Sequence, residues 1–410
     1  MSATTVSPHL VTVSGQDGPG IAERLFAGLR AHGVRVEDVE QVRVHGRLLL
    51  CVEVAVSASD AARLHDALEG VLAGGGVEVA VELLQERESA EAGEAGGARD
   101  AEEHQVVTVL APEVGAETLQ GVTGRVASSG GNIERIVRLA AYPVHSYELT
   151  VTGADLVALR RGLAAEAARQ RVDIAVQAAG LHRRAKHLIV FDADSTLLQG
   201  EVIDLLAGRC GCASEVAAVT EAAMAGQLDF EEALRQRVAL LAGLKEHDLD
   251  SVREAVLLAP GARTLVRTLK RLGYELAVVS GGFVQVIGEL VTGLGIDLLA
   301  ANELVLEGGL VTGELAGPVV DRAGKAAALV RFAEAAGVPL AHTIAVGDGA
   351  NDIDMLAAAG LGIAFNAKPV VREAADTALS VPYLDAILFL LGISRREVEL
   401  ADRLDAVGAS

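Results

Sequence analysis

Short apolar runs alternate with amphipathic helical patterns along the C-terminal half of the chain. The first of these runs covers residues 187–191 and the last covers residues 361–364. This alternation predicts an α/β domain with a Rossmann-like parallel sheet, covered by helices on both faces, in which ligands bind at the carboxyl ends of the strands. One long segment, residues 200–258, has only helical patterns, and we expect it to form a cap over the ligand-binding edge.

Two segments of similar layout precede this region. Each has a strand pattern, a turn, an amphipathic helix, further strand patterns, a second helix and a last strand, which gives the order βαββαβ. That order predicts two ferredoxin-like domains, over residues 9–86 and 104–182. Residues 87–103 are charged and rich in alanine and glycine, as is typical of a linker. Residues 183–410 then form the α/β domain with its cap.

The composition excludes several classes of function. The chain of 410 residues has 35 lysines and arginines against 56 aspartates and glutamates, a net charge of -21. Nucleic acid and anionic lipid repel such a chain, and no apolar run reaches the ~18 residues of a membrane span, so we expect neither partner. Cys51, Cys210 and Cys212 are too few for a disulfide framework. We therefore expect a cytoplasmic protein whose cysteines are ordinary packed thiols.

Two aspartates directly follow the first apolar run of the C-terminal domain. Asp192 and Asp194 are two residues apart, so an extended chain would present both on one side at the ligand-binding edge. Two adjacent carboxylates require a cation, and oxygen ligands without histidine or thiolate favour Mg²⁺. A D-x-D pair alone is more often a surface turn or a helix cap, so the motifs around it decide.

Three further motifs occur downstream. Ser280 and Gly281 end a strand pattern, where a hydroxyl and backbone N–H groups suit phosphate oxygens. Lys325 opens a helical pattern and could neutralise a phosphate, although a lone lysine is more often a surface residue. A Gly-Asp-Gly-Ala-Asn-Asp sequence brings Asp348 and Asp352 from another strand end, where they could complete a magnesium site.

In this order and context, the four motifs resemble those of the haloacid dehalogenase superfamily of phosphatases, over residues 185–395. The resemblance implies that Asp192 attacks phosphorus, forming an aspartyl-phosphate, and that Asp194 acts as acid and base. It also implies that Asp192, the backbone carbonyl of Asp194 and Asp348 hold Mg²⁺, with Asp352 in support. An acid at position 194 must be protonated near neutral pH, which we expect from the acids crowded around it.

The predicted cap offers two charges that suit a small zwitterionic substrate. Glu201 could bind an ammonium group and Arg237 a carboxylate, although each is singly more often a solvated helix charge. Within the superfamily, these positions and the apolar residues Met224 and Phe230 are similar to those of members that act on O-phospho-L-serine. That resemblance implies the last step of serine biosynthesis. It also implies four residues around the phosphate: Ser280, Gly281, Lys325 and Asn351.

The two N-terminal segments resemble ACT domains, small modules that bind amino acids. In the first, the sequence Asp17-Gly18-Pro19-Gly20 precedes a helix, where glycines would let backbone N–H groups face a ligand. A plain turn is the alternative. The resemblance implies a regulatory ligand at Asp17, Gly18 and Gly20, which we expect to be L-serine, and a homodimer formed through these modules.

Two other functions agree with the same residues. The chain could be a phosphatase for another small phosphometabolite or for a phosphoprotein, although Glu201 and Arg237 over a small cavity disfavour a protein substrate. It could also be an amino-acid-sensing regulator whose phosphatase-like half is inactive. Intact Asp192 and Asp194 argue against that second possibility.

Overall fold

The computed structural model describes residues 6–84, 104–180, 183 and 185–408. The chain divides into two compact units, Met1–Ala95 and Gly96–Ser410. The linker predicted over 87–103 lies outside the described residues. Within those residues, every helix is too short or too polar to cross a membrane.

The first unit is a four-stranded antiparallel sheet with two helices packed on one face. Its strand order is β2-β3-β1-β4. Along β3 every second residue is buried, and α1 buries residues four apart, so both elements turn one apolar face to a shared core. The elements in chain order are β1 (Val6–Gln16), α1 (Ile21–Ala31), β2 (Arg35–Val44), β3 (Arg47–Ser57), α2 (Ala58–Leu72) and β4 (Val77–Leu83).

The second unit begins with the same arrangement, in the strand order β6-β7-β5-β8. Its topology matches that of the first unit strand by strand, which confirms the prediction of two ferredoxin-like βαββαβ folds. The elements are β5 (Gln105–Ala111), α3 (Ala116–Ser128), β6 (Asn132–Ala140), β7 (His145–Thr152), α4 (Leu156–Gln170) and β8 (Asp173–Ala178).

One face of this second sheet packs against the C-terminal part of the chain. Strand β5 is buried at every position, and Leu110 shares an apolar core with Phe389. Side chains of β8 also form hydrogen bonds with the backbone of the C-terminal domain. The N–H of Ser380 donates to Oδ2 of Asp173 at 2.6 Å, and Nε2 of Gln177 donates to the carbonyl of Leu390 at 2.9 Å. The second ferredoxin-like fold and the C-terminal domain therefore share one core.

The C-terminal domain is built on a seven-stranded sheet of order β12-β11-β10-β9-β13-β14-β15. Its core is parallel, which confirms the predicted fold class, but β12 pairs antiparallel with β11 through a tight turn at Gly308 and Gly309. The strands are β9 (Leu188–Asp192), β10 (Glu275–Phe283), β11 (Leu298–Glu307), β12 (Leu310–Ala316), β13 (Thr343–Gly347), β14 (Gly362–Phe365) and β15 (Thr377–Leu379).

Four helices form an insert after β9, ahead of the helix Ala262–Arg271 that leads into β10. Leu198 and Leu258 form an isolated antiparallel bridge at the base of this insert, so the chain leaves and re-enters the sheet domain side by side. The four helices are α5 (Val202–Cys210), α6 (Ala213–Met224), α7 (Phe230–Ala239) and α8 (Glu246–Ala255). The remaining helices are α9 (Ala262–Arg271), α10 (Val284–Gly293), α11 (Arg322–Ala336), α12 (Ile353–Ala358), α13 (Pro369–Ala374), α14 (Ile387–Leu390) and α15 (Arg395–Gly408).

Candidate active site

Asp192 and Lys325 form the centre of a buried charged cluster at the carboxyl end of β9. Asp192 is only 4% exposed. Nζ of Lys325, in the first turn of α11, donates to Oδ1 of Asp192 at 2.6 Å and to Oδ1 of Asp352 at 2.7 Å. Burial raises the pKa of Asp192, and the Lys325 ammonium opposes that shift. Burial alone would lower the pKa of Lys325, but the two carboxylates raise it above its ordinary value, so the lysine stays charged.

Asp352 reaches this cluster because the chain turns tightly after β13. The backbone N–H of Gly349 donates to Oδ2 of Asp352 at 2.9 Å, while Lys325 holds the other oxygen. A Cβ at Gly347 would collide with the side chain of Asp352, so any larger residue there would displace the carboxylate. The glycine therefore allows a second carboxylate to share the ammonium of Lys325.

Asp194 lies in the turn Ala193–Leu197 that follows β9, and its two oxygens have different partners. The backbone N–H of Val202 donates to Oδ1 at 2.8 Å, and Oγ of Ser280 donates to Oδ2 at 3.3 Å. Burial, with a smaller contribution from the charge of Glu201, raises the pKa of Asp194 to about 7. The expected direction of the shift is confirmed, but burial rather than the crowding of acids is its main cause.

The loop Ser280–Gly282 approaches Asp194 from the end of the regular part of β10. Ser280 is fully buried, and its Oγ accepts from the backbone N–H of Gly282 at 2.8 Å. A Cβ on Gly282 would lie 2.9 Å from Oδ2 of Asp194, closer than any side chain could pack. Glycine at this position therefore lets the loop backbone come close to Asp194.

Three carboxylates lie close enough together to hold one metal ion. Oxygens of Asp192, Asp348 and Asp352 all fall within 4.8 Å of one another. Both oxygens of Asp352 accept hydrogen bonds, whereas in the described part of the chain Asp192 and Asp348 each keep one oxygen without a hydrogen bond. Oγ1 of Thr196 donates to the other oxygen of Asp348 at 3.0 Å. A donor set made only of oxygens fits a hard divalent cation.

The electrostatics of Asp348 agree with a cation at this place. Burial, with the charge of Asp352 next, raises the pKa of Asp348 to about 6. A carboxylate that is costly to ionise in the protein alone becomes favourable when a cation binds beside it. The cluster therefore has an excess of negative charge that Lys325 neutralises only in part.

A cavity of about 610 Å³ connects this cluster with the inserted helices α5, α6 and α7. Glu201 precedes α5 and accepts from Oγ of Ser195 at 3.2 Å, and Arg237 enters from α7. Burial lowers the pKa of Arg237, while the charges of Glu201 and Asp204 oppose that shift. The cavity thus has the buried charges of the sheet on one side and a carboxylate with a guanidinium on the other.

Most of the residues singled out from the sequence line this one cavity. Ser280 and Asp352 lie directly behind its wall, hydrogen-bonded to residues that line it. The side chain of Met224 lies outside the described part of the structure. The lining residues among those expected are Asp192, Asp194, Glu201, Phe230, Arg237, Gly281, Lys325, Asp348 and Asn351.

Sequence reasoning missed two charged residues of the cavity wall. Asp204 lies one helical turn after Glu201 on α5, and Lys368 follows β14 at the carboxyl edge of the sheet. The helical spacing from Glu201 could have indicated Asp204. Lys368 could have been found by the rule that located the other loops, because it also follows the carboxyl end of a parallel strand.

In the first unit, the turn singled out as a ligand site lies at the N-terminus of α1. Gly20 adopts a left-handed conformation with φ of 87° directly before the helix. The carboxylate of Asp17 pairs with Nε of Arg43 at 2.5 Å, and its backbone N–H donates to Gly46 at 2.8 Å. The Asp17 end of the turn is thus fixed to the β2–β3 hairpin, and Gly18 lies between this anchor and Gly20 at the start of α1.

Family models match all three parts of the chain. Residues 189–357 match the haloacid dehalogenase-like hydrolases, and residues 7–82 and 103–177 each match an ACT domain. Among solved structures, an HAD-family hydrolase from Salmonella enterica serovar Typhi superposes with a TM-score of 0.63 at 28% identity, covering 70% of this chain and 98% of that one. A probable phosphoserine phosphatase from Vibrio cholerae superposes with a TM-score of 0.56 at 31% identity, covering 70% and 86%.

Two curated relatives are similar over nearly their full length. A phosphoserine phosphatase from Streptomyces coelicolor is 53% identical over 96% of this chain and 94% of its own. Phosphoserine phosphatase SerB2 from Mycobacterium tuberculosis is 48% identical over 97% of this chain and 96% of its own. With two ACT domains ahead of a haloacid dehalogenase-like hydrolase domain, the chain belongs to the phosphoserine phosphatase family.

Proposed function

We propose that this chain hydrolyses O-phospho-L-serine to L-serine and phosphate, as a cytoplasmic enzyme at the last step of serine biosynthesis. The observation that carries the proposal is the cavity itself. Asp192, held by Lys325 at 2.6 Å, faces a wall of inserted helices that presents Glu201 and Arg237. A phosphate, an ammonium and a carboxylate on one small molecule match these three groups of charges.

The reaction proceeds in two displacements at phosphorus. An oxygen of Asp192 forms a bond to phosphorus while the ester P–O bond breaks, and Asp194 gives its proton to the leaving serine oxygen. Asp194 then takes a proton from water, whose oxygen attacks phosphorus and releases Asp192 and inorganic phosphate. The pKa of about 7 at Asp194 lets one carboxyl group serve in both directions near neutral pH.

The surrounding residues hold the phosphoryl group during both steps. Gly281 and Asn351 line the cavity and would offer a backbone N–H and a side-chain amide as donors, while the Ser280 hydroxyl lies behind the wall, bonded to Asp194 and to the N–H of Gly282. Lys325 adds a fixed positive charge. Such preorganised donors stabilise charge that develops on the equatorial oxygens.

Mg²⁺ is the cation that we assign to the carboxylate cluster. Asp192, the backbone carbonyl of Asp194 and Asp348 would hold it, with Asp352 kept in place by Gly349 and Lys325. When bound, Mg²⁺ supplies positive charge that reduces the repulsion between the carboxylate nucleophile and the phosphate dianion.

The first prediction concerns substrate choice. We expect kcat/KM for O-phospho-L-serine to exceed that for O-phosphoethanolamine, which lacks the carboxylate, by about a hundredfold, the value of one charge-assisted bidentate pair. Arg237→Met should bring this ratio close to one. Phosphate release measured with each ester in the presence of Mg²⁺ gives the two values of kcat/KM. In the same assay, removal of Mg²⁺ with EDTA should abolish turnover until Mg²⁺ is restored.

Arg235→Met is the matched control for that experiment. Arg235 is on the same helix but is exposed and pairs with Glu231, so its loss should leave the substrate ratio unchanged. A wild type that prefers another phosphomonoester, or an Arg237→Met variant that keeps the full preference, would contradict the proposed substrate.

The second prediction concerns the proton donor. Asp194→Asn should slow hydrolysis of O-phospho-L-serine about a hundredfold or more, because the alkoxide leaving group needs a proton. With p-nitrophenyl phosphate, whose leaving group is stable as an anion, the same variant should lose much less in the first step. Single-turnover release of serine and of nitrophenolate measures this directly. Equal losses with both esters would argue against Asp194 as the donor.

We further propose regulation by L-serine at Asp17, Gly18 and Gly20, a homodimer formed through the ACT domains, and domain limits at 9–86, 104–182 and 183–410. Support for the ligand site comes from the anchored turn before α1. ACT domains bind amino acids, and the product of the proposed reaction is one.

The third prediction tests this regulation in the full chain. Gly18→Val would place a side chain over the turn, where the nearest atom to a new Cβ is Cδ1 of Ile21 at 3.9 Å, so the fold can accept it. We expect this variant to weaken inhibition by L-serine at least tenfold, whereas Gly115→Val at the start of α3 should not. Inhibition measured by phosphate release that is equal in the wild type and both variants would exclude this turn as the serine site.

A further inference from the structure

Asn302 on β11 is a buried amide whose side chain bonds to two separate backbone segments. The residue is 2% exposed. Its Nδ2 donates to the carbonyl of Gly281 at 2.8 Å, and its Oδ1 accepts from the backbone N–H of Val320 at 2.8 Å. Reversing the amide would set oxygen against oxygen and N–H against N–H, so these partners fix its orientation.

The first bond compensates for an interruption of the sheet. Strands β10 and β11 pair regularly up to Val279 opposite Ala300, and the pairing resumes at Phe283 opposite Asn302. Three residues on β10 therefore face a single residue on β11, and the loop Ser280–Gly282 bulges out of the ladder. A carbonyl that leaves the ladder in such a bulge needs another partner, and the amide of Asn302 supplies one to Gly281.

The second bond fixes the approach to α11. Val320 immediately precedes Asp321, whose side chain caps the helix by accepting from the N–H of Gly324 at 2.7 Å. Lys325 follows in the same turn and bonds to Asp192. Asn302 thus connects the beginning of α11, which carries Lys325, to the loop Ser280–Gly282, which we call the phosphate loop. These two segments are about 40 residues apart in the sequence.

We propose that Asn302 is a positioning residue for the phosphoryl group, which sets the distance between the loop Ser280–Gly282 and Lys325. The inference rests on the proposed function, because it assumes that both segments act on the same phosphate. Asn302 does not line the cavity, so its effect passes through Gly281 and Val320. A displacement of about 1 Å at a reacting centre can slow turnover by about a hundredfold.

Gln285 offers a matched comparison in the same region. Its Nε2 donates to the carbonyl of Leu304 at 2.8 Å, and its Oε1 accepts from the N–H of Leu304 at 3.1 Å. Gln285 lies on α10 and is a partly buried amide that, like Asn302, makes two backbone bonds. Its partner Leu304 is on β11, two residues after Asn302. Both of its bonds go to one residue that is outside the phosphate loop and outside the approach to α11.

The experiment compares Asn302→Leu with Gln285→Met in the full chain. Each change removes one amide and both of its backbone bonds and leaves an apolar side chain of similar length. We expect Asn302→Leu to lower kcat by ten- to a hundredfold and to weaken inhibition by orthovanadate at least tenfold. Gln285→Met should change both by less than threefold, although urea unfolding should show a comparable loss of stability in the two variants.

A third variant keeps the test decisive if Asn302→Leu does not fold. Asn302→Ala removes both bonds without adding a charge or apolar bulk between the two segments, so it should weaken orthovanadate inhibition while leaving more of the native stability. Wild-type kcat and orthovanadate affinity in the folded Asn302 variants, or equal losses in Gln285→Met, would overturn the proposal. A wild type that hydrolyses no phosphomonoester would instead refute the proposed function, and orthovanadate binding by calorimetry would still report on Asn302.

Discussion

Asp192→Asn is expected to reduce kcat/KM for O-phospho-L-serine by a factor of about a thousand or more, equivalent to ~4 kcal/mol of transition-state stabilisation. An amide oxygen is a far weaker nucleophile than a carboxylate, so no aspartyl-phosphate can form at this position. The fold should survive, because the Asn oxygen can still accept from Nζ of Lys325, which lies 2.6 Å from Oδ1 in the native chain. Phosphate release measures the loss of kcat/KM, and acid-quenched labelling with ³²P-substrate measures the loss of the aspartyl-phosphate.

Asp348→Asn is the matched control for the nucleophile. It makes the same chemical change in the same cavity, at a carboxylate that is held by Thr196 rather than by Lys325. We expect it to raise the Mg²⁺ concentration needed for turnover while the protein can still be labelled. Labelled protein in Asp192→Asn, or its absence in the wild type, would contradict the assignment of Asp192.

Lys325→Met is expected to destabilise the chain by about 3–5 kcal/mol and to abolish turnover. The ammonium is fully buried, and its removal leaves the carboxylates of Asp192 and Asp352 buried without their counter-ion. Folding then raises the pKa of Asp192 further above the ~3.9 of an unfolded aspartate, so the folded variant binds more protons than the unfolded one. Its stability should therefore fall as the pH rises from 5 to 8, as urea unfolding at each pH will show.

Lys186→Met distinguishes this charge effect from the loss of a buried lysine in general. Lys186 is also buried, but its Nζ donates to the backbone carbonyl of Ala341, and burial lowers its pKa. Removing that ammonium should cost less and should not make stability decline with rising pH. A Lys325→Met variant with wild-type stability and no dependence on pH would show that Asp192 and Asp352 are not paired through this lysine.

Local patterns in the sequence were sufficient to predict much of the fold. The helices Ile21–Ala31 and Ala58–Leu72 occupy the two helical positions of the predicted βαββαβ order, because amphipathic spacing and turn residues mark both ends. Strand Arg35–Val44 was not located, because all ten of its residues are exposed and its valines follow no simple alternation. Strand Leu310–Ala316 was also missed, since an edge strand in a hairpin lacks the continuous apolar run of a buried parallel strand.

The active site shows where such reasoning stops. Placing Asp192 and Asp348 together required only the rule that parallel strands end at one edge of a sheet, whereas Lys325 was assigned to the same site through the family resemblance. The sharing of Lys325 between Asp192 and Asp352, by contrast, depends on the space left by Gly347, and the role of Asn302 depends on the register shift between two strands. Both are long-range contacts between groups with no marked spacing in the sequence.

The shared core of the second ACT domain and the sheet domain has a practical consequence for anyone shortening this protein. Cutting the chain near residue 183 would expose the surface around Leu388, Phe389 and Leu390 to water and leave the backbone N–H of Ser380 without its acceptor, Asp173. A fragment of that kind would be prone to aggregate. A fragment starting at residue 104 keeps this surface covered, and it is the shorter version that we expect to remain monodisperse during purification.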